Sequence, residues 1–181
     1  MKAIADFLQP DLRNQTLVSV DADGRVRPTT AEDGYLSLLR LELSPKVPEN
    51  VRKLFDVCRD LMLYAWFVYE FYTVAAHQAL VCLEFALREK HPVTQTGKKG
   101  RVRHQGLRAH LEHVKELGYF EQDARIAEVL ESIPYIRNGE AHGSDTVLNF
   151  ALAEGVLMQV RSIINTVYEQ EPSTRGKGVA T

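Results

Sequence analysis

From Glu49 to His91 the chain runs without a glycine or a proline, bounded by Pro48 and Pro92. A helix is the natural form of such a stretch, yet a single one would measure ~65 Å, too long for a compact domain. Two helices with a turn near Tyr64–Phe67 satisfy both demands. The first sets Val51, Leu54, Phe55, Cys58, Leu61 and Met62 on one face, a 3.6-residue period. The second, from about Phe67 to Lys90, is apolar nearly all round and belongs at the centre of a bundle. With 181 residues there is room for one well-cored domain and not for two comfortable ones.

The rest of the chain is organised around that pair. Pro92 to Gly106 reads as a loop. Leu107, Leu111 and Val114 mark a third helix that Gly118 stops, and Ile126, Val129, Leu130 and Ile133 mark a fourth, interrupted by Pro134. Ser144 or Asp145 is placed to N-cap the last helix, whose expected core face is Leu148, Ala151, Leu152, Val156, Val160, Ile163, Ile164 and Val167. Residues 1–47 read differently. Thr16–Val20 and Arg25–Arg27 flank Asp23-Gly24 as a small β-hairpin would. Leu39, Leu41 and Leu43 alternate like a strand, while Leu36, Leu39 and Leu43 fit a helix nearly as well. The expectation is an all-α, up-and-down bundle of about five helices over 48–170. A small N-terminal extension, 1–47, precedes it, and a polar tail, 171–181, expected to be disordered, follows.

Composition removes several function classes. The 45% hydrophobic and 25% charged fractions are those of an ordinary globular protein. A net charge of −2 leaves no overall basicity to advertise nucleic acid. The most apolar stretch, Leu61–Phe71, contains Glu70 and falls well short of the ~20 residues a membrane span needs. The opening residues Met1–Pro10 carry Asp6 and do not resemble a signal peptide. Cys58 and Cys82 lie in apolar helical sequence without metal-like spacing, as reduced core residues of a cytoplasmic protein do.

The sharpest chemical feature is Arg137-Asn138-Gly139-Glu140-Ala141-His142. On a straight helix a five-residue offset separates two side chains by about 140°. Arg137 and His142 therefore converge only if the helix breaks between them, and Gly139 supplies the break. A guanidinium that holds a phosphate and an imidazole that moves a proton are what phosphodiester cleavage requires. The plain reading is a helix stop, with Arg137 near a C-terminus and Gly139 as the left-handed residue.

Arg137, Asn138 and His142 resemble the Arg-x(4–6)-His motif of the HEPN superfamily, in which a polar residue often follows the arginine directly. The central helix with Leu83-Glu84-Phe85-Ala86-Leu87-Arg88 agrees, as does the motif's place before a final helix. The resemblance spans roughly Pro48 to Glu169 and leaves the N-terminal extension unaccounted for. It implies a helical bundle that dimerises, bringing two motifs into one cleft. Many such domains are metal-independent ribonucleases of toxin–antitoxin, CRISPR-associated and abortive-infection systems; others have lost activity and serve as binding modules. One feature departs: toxins paired with nucleotidyltransferase-like antitoxins often carry a tyrosine two residues after the histidine, where this chain has Ser144. The resemblance does not extend to that partnership.

Further polar patterns stand beside that motif. Glu70, His77, Glu84 and His91 recur every seven residues, with Arg88 one turn after Glu84. A solvated face explains His91 and His77, whereas Glu84 on so apolar a helix calls for a partner such as Arg88 or Arg137. Between Arg88 and Arg108, seven basic residues face one acid, a local charge of +6 that leaves −8 elsewhere. Such a segment suits a phosphate-backbone clamp or a solvated insertion equally. Thr96-Gly97-Lys98-Lys99 lacks the upstream glycine and helix-opening context of a P-loop. His110 and His113, one turn apart near His104, read as a wet helix face, and no carboxylate or cysteine at usual spacing completes a metal set.

The functional expectation is a metal-independent endoribonuclease of the HEPN kind, without cofactor, a toxin or antiviral-defence effector. Arg137, Asn138 and His142 are its candidate catalytic residues, with Glu84 in support. Lys98, Lys99, Arg101, Arg103 and Arg108 are the candidate RNA contacts. A homodimer is expected, to which part of the aromatic band Tyr64, Trp66, Phe67, Tyr69, Phe71 and Tyr72 contributes, since the band exceeds what one small core needs, and an antitoxin or effector protein is a further partner. The alternative is a non-catalytic module of the same fold that binds a nucleotide or a partner protein.

Overall fold

The computed structural model describes residues 2–96, 102–121 and 147–172. Five α-helices pack together among the described residues, with an antiparallel two-stranded hairpin before them. They are α1 (Ala31–Leu39), α2 (Glu49–Tyr64), α3 (Phe71–Lys90), α4 (Leu107–Glu116) and α5 (Phe150–Glu169). The hairpin pairs β1 (Val18–Val20) with β2 (Val26–Pro28). Gly24 closes its turn at φ +81°, and Asp21 exchanges main-chain bonds with both Gly24 and Arg25. Glycine adopts that φ without the Cβ clash other residues meet.

The long stretch without glycine or proline is indeed two helices with a turn at 65–70. Val51, Phe55, Cys58 and Met62 of α2 are buried, four residues spaced to follow one face. Helix α3 is central and packs on α2, α4 and α5. Its alanines Ala75, Ala76, Ala79 and Ala86 are fully buried, which lets neighbouring helices come close, and Leu80, Leu83 and Leu87 fill the space between. Helix α4 ends at Gly118, with φ +80°. Gly118 N–H donates to Lys115 O and Tyr119 N–H to Val114 O, a Schellman closure that satisfies two helix-end carbonyls.

The leucines of 38–43 resolve as both readings in part. The helix stops at Leu39, and Leu41 and Leu43 then enter the core from irregular backbone, together with Leu38 and Val47. Helix α1 starts on a capping box in which Thr30 and Asp33 satisfy each other's main-chain N–H. Arg27 joins Asp33 to Asp21, fastening hairpin to helix.

Three expectations need correction. The 92–106 stretch is not all loop: β3 (Thr94–Thr96) pairs antiparallel with β4 (Val102–His104). The N-cap of α5 is Asn149, its side chain accepting from Leu152 N–H at 2.9 Å, in place of the expected Ser144 or Asp145, which lie outside the described residues. The core face of α5 is accordingly Ala153, Val156, Leu157, Val160, Ile163, Ile164 and Val167, while Ala151 and Leu152 are exposed. Most of the aromatic band lies inward: Tyr72 is buried, Tyr69 and Phe71 pack against the core, and only Tyr64 is largely exposed. The fourth expected helix, 126–133, lies outside the described residues.

Candidate functional site

The polar side chains of the central helix collect at its C-terminal end. Glu84, half-buried on α3, has one carboxylate oxygen sealed from solvent. An ionised carboxylate is tolerated there only with compensating charge or donors close by. One turn on, the Arg88 guanidinium lies 5.4 Å from the centre of the Phe85 ring. Both charges act on His110 of α4, a side chain 1% exposed whose ring nitrogens make no well-formed hydrogen bond among the described residues, although the His91 and Gln105 backbones lie near enough to favour its charged form. Burial lowers the His110 pKa first. The backbones of His91 and Gln105 and the Glu84 carboxylate oppose that shift, and Arg88 adds to it. The imidazole is therefore neutral at neutral pH, free to take up or release a proton.

His91 extends the cluster. It ends α3, and its Nε2 is hydrogen-bonded to Tyr119 Oη at 2.7 Å. The His113 ring stands edge-on 6.1 Å away. Burial, and then the neighbouring His113, lowers the His91 pKa, while burial raises that of Tyr119. The Schellman turn after α4 is what delivers Tyr119 to this place. Two helix ends and one turn thus bring a carboxylate, a guanidinium, three imidazoles and a phenol to one end of the bundle.

Of the residues singled out from sequence, Arg137, Asn138 and His142 lie outside the described residues, as do Lys98, Lys99 and Arg101. Arg103 is described only as backbone in β4. Arg108 stands exposed on α4 and pairs with Glu112 at 2.9 Å. Glu84 is half-buried with one carboxylate oxygen sealed from solvent, and Arg137, one of the partners expected for it, lies outside the described residues. The seven-residue stripe does not behave as one unit. Glu70 is exposed at the start of α3 and binds Arg13 at 2.7 Å, and that contact lowers its pKa. His77 is partly buried, and His91 is no solvated residue but half-buried against Tyr119.

His110 is the residue that sequence reasoning misplaced. The expected wet face is instead a core position, and the signal was present: Leu107, His110, Leu111 and Val114 follow i, i+3, i+4, i+7, and all four are buried. Among the described residues no three His, Cys, Asp or Glu side chains converge as a metal-binding set. No described helix is long and apolar enough to cross a membrane. No family model, curated protein or solved structure matches the chain.

Proposed function

We propose that this chain is a metal-independent endoribonuclease of the HEPN kind, acting as a homodimer. The observation that carries the reading is Glu84: a carboxylate drawn into a helical bundle beside a neutral buried imidazole, in a chain that also holds Arg137-Asn138 and His142. One oxygen of that carboxylate is sealed from solvent, and an acid set beside a buried imidazole and an arginine is an arrangement that active sites use. In the proposed reaction the RNA 2′-hydroxyl attacks the adjacent phosphorus and the 5′-oxygen leaves. His142 takes or gives the proton, Arg137 stabilises the charge on the phosphorane, and Asn138 donates a hydrogen bond. Glu84 supports these groups. Lys98, Lys99, Arg101, Arg103 and Arg108 hold the flanking backbone. Toxin or antiviral-defence duty, with an antitoxin or effector as partner, is the role such cleavage serves.

The test is cleavage of single-stranded RNA with a chelator present. The wild-type protein leaves a 2′,3′-cyclic phosphate on the 5′ fragment and spares DNA, which lacks the attacking hydroxyl. His142→Ala and Arg137→Ala each lose on the order of a hundredfold in rate. Undiminished cleavage by His142→Ala refutes the catalytic assignment. If the wild type binds nucleotide or a partner protein yet cuts no RNA, the non-catalytic module is the correct reading.

A further inference from the structure

A second feature lies near the opposite end of α3. The hairpin, the start of α1, the end of α2 and the first turn of α5 enclose a cavity of about 310 Å³. Its walls are apolar and aromatic: Leu38, Met62, Trp66, Tyr72 and Phe150 among them. We propose that this cavity is a binding site for an uncharged two-ring organic molecule carrying one hydrogen-bonding group.

Three observations define that ligand. A cavity of ~150 Å³ accepts benzene, so twice the volume takes a second ring, and the size sits at the small end of the ~300–1,000 Å³ typical of ligand pockets. The charge balance excludes an ion. Asp33, the one acid on the wall, has its oxygens taken by Arg27 at 2.6 and 2.7 Å and by Thr30 N–H at 2.8 Å. Thr30 is engaged with Asp33, Asn149 Oδ1 with Leu152 N–H and the Tyr72 hydroxyl with Asn14, whereas in the Ser19–Thr29 hydroxyl pair, 2.8 Å apart, one hydroxyl proton is left to donate outward.

The third observation is Gly34, inside α1 and on the cavity wall. Glycine inside a helix costs roughly 0.5–1 kcal/mol relative to alanine. Packing does not demand it, since an added Cβ meets only the Phe150 ring edge at 3.6 Å, an ordinary contact. Its consequence is open volume. A wall kept bare at the expense of helix stability, facing aromatic rings with no charge to satisfy, suits an apolar occupant.

Trp66 is the chain's one tryptophan and lines the cavity, so its fluorescence reports occupancy directly. Titrating the full chain with prodan, an uncharged naphthalene ketone, gives saturable one-to-one binding with energy transfer from Trp66. Gly34→Leu fills the space and weakens that binding at least about tenfold while keeping a native far-UV spectrum and a melting point no lower than wild type. If Gly34→Leu does not fold, Ala151→Leu narrows the cavity from the α5 wall and gives the same loss. The proposal is overturned by any of three results: no saturable Trp66 response in the wild type, unchanged affinity in a folded cavity-filling variant, or tighter binding of anionic anilinonaphthalene sulfonate than of prodan.

Discussion

Asn14→Ala should be one of the most damaging single changes in the N-terminal extension. Asn14 is fully buried, and its Nδ2 donates to Ala65 O at 2.9 Å and Trp66 O at 3.0 Å, while its Oδ1 accepts from Tyr72 Oη at 3.2 Å. The carbonyls belong to the end of α2, where the helix no longer supplies donors. Trp66 O keeps a second donor, Asp11 N–H at 2.9 Å, so truncation strands Ala65 O and the Tyr72 hydroxyl. Each stranded buried group costs about 1–3 kcal/mol, giving a loss of roughly 2–5 kcal/mol. In a domain of this size that lowers the melting midpoint by about 5–15 °C. Urea denaturation of Asn14→Ala measures it, with the exposed neighbour Gln15→Ala as control. A loss under ~0.5 kcal/mol would refute the reasoning, since residues 11–16 would then not be fixed to the turn between α2 and α3.

Three shorter predictions rest on titration and burial. Asp11 is held down to about 2, chiefly by its hydrogen bond from Arg13; a depressed carboxylate contributes stability above its unfolded pKa near 4 that is lost as pH falls toward 2. Arg13→Ala should therefore flatten the stability curve between pH 4 and 2, and an unchanged acid limb would count against the pair. His110→Leu should be neutral or stabilising at pH 7, because it removes two buried nitrogens that make no well-formed hydrogen bond among the described residues, and should lessen the loss of stability below about pH 6.5, where a histidine of depressed pKa must charge. Destabilisation beyond ~1 kcal/mol would show that the ring is hydrogen-bonded after all. Cys58 and Cys82, both buried with thiol pKa values raised by desolvation, should resist alkylation in the native protein and take two labels without reductant once unfolded; finding no label then would mean a disulfide.

Local rules made much of this fold legible. Gly118 and Asp23-Gly24 were readable because a left-handed backbone leaves a compositional mark, and α2 because its apolar period runs for four turns. What failed depended on contacts remote in sequence. Nothing near Asn14 says that its amide will meet the end of α2. Ser144 and Asp145, five and four residues before the observed cap, are as good capping residues as Asn149, and only the packing of α5 against α3 decides between them. The 3-residue strands β3 and β4 are too short to show an alternation above the turn-rich sequence around them. His110 was a different failure. Its core spacing was visible, and residue type was allowed to outweigh period.

The site and the cavity occupy different parts of α3, which makes them separable by experiment. Tyr72, which holds Asn14 and lines the cavity, precedes Glu84 by twelve residues, ~18 Å along the helix axis. His110 takes its electrostatic environment from Glu84, Arg88 and the backbones of His91 and Gln105, none of which lines the cavity. Sites farther apart than ~10 Å with no shared partner add within about 0.5 kcal/mol. The double variant Asn14→Ala/His110→Leu should therefore show the sum of the two single effects in urea denaturation. Helix α3 is nevertheless one continuous element with a buried face that runs from Tyr72 to Leu87, both 1% exposed or less. Should the N-terminal end regulate the polar end, that helix is the element through which displacement would pass, and the double variant would depart from additivity by more than about 1 kcal/mol. Additivity within error instead means that the N-terminal end of α3 and the Glu84–His110 cluster contribute to stability independently.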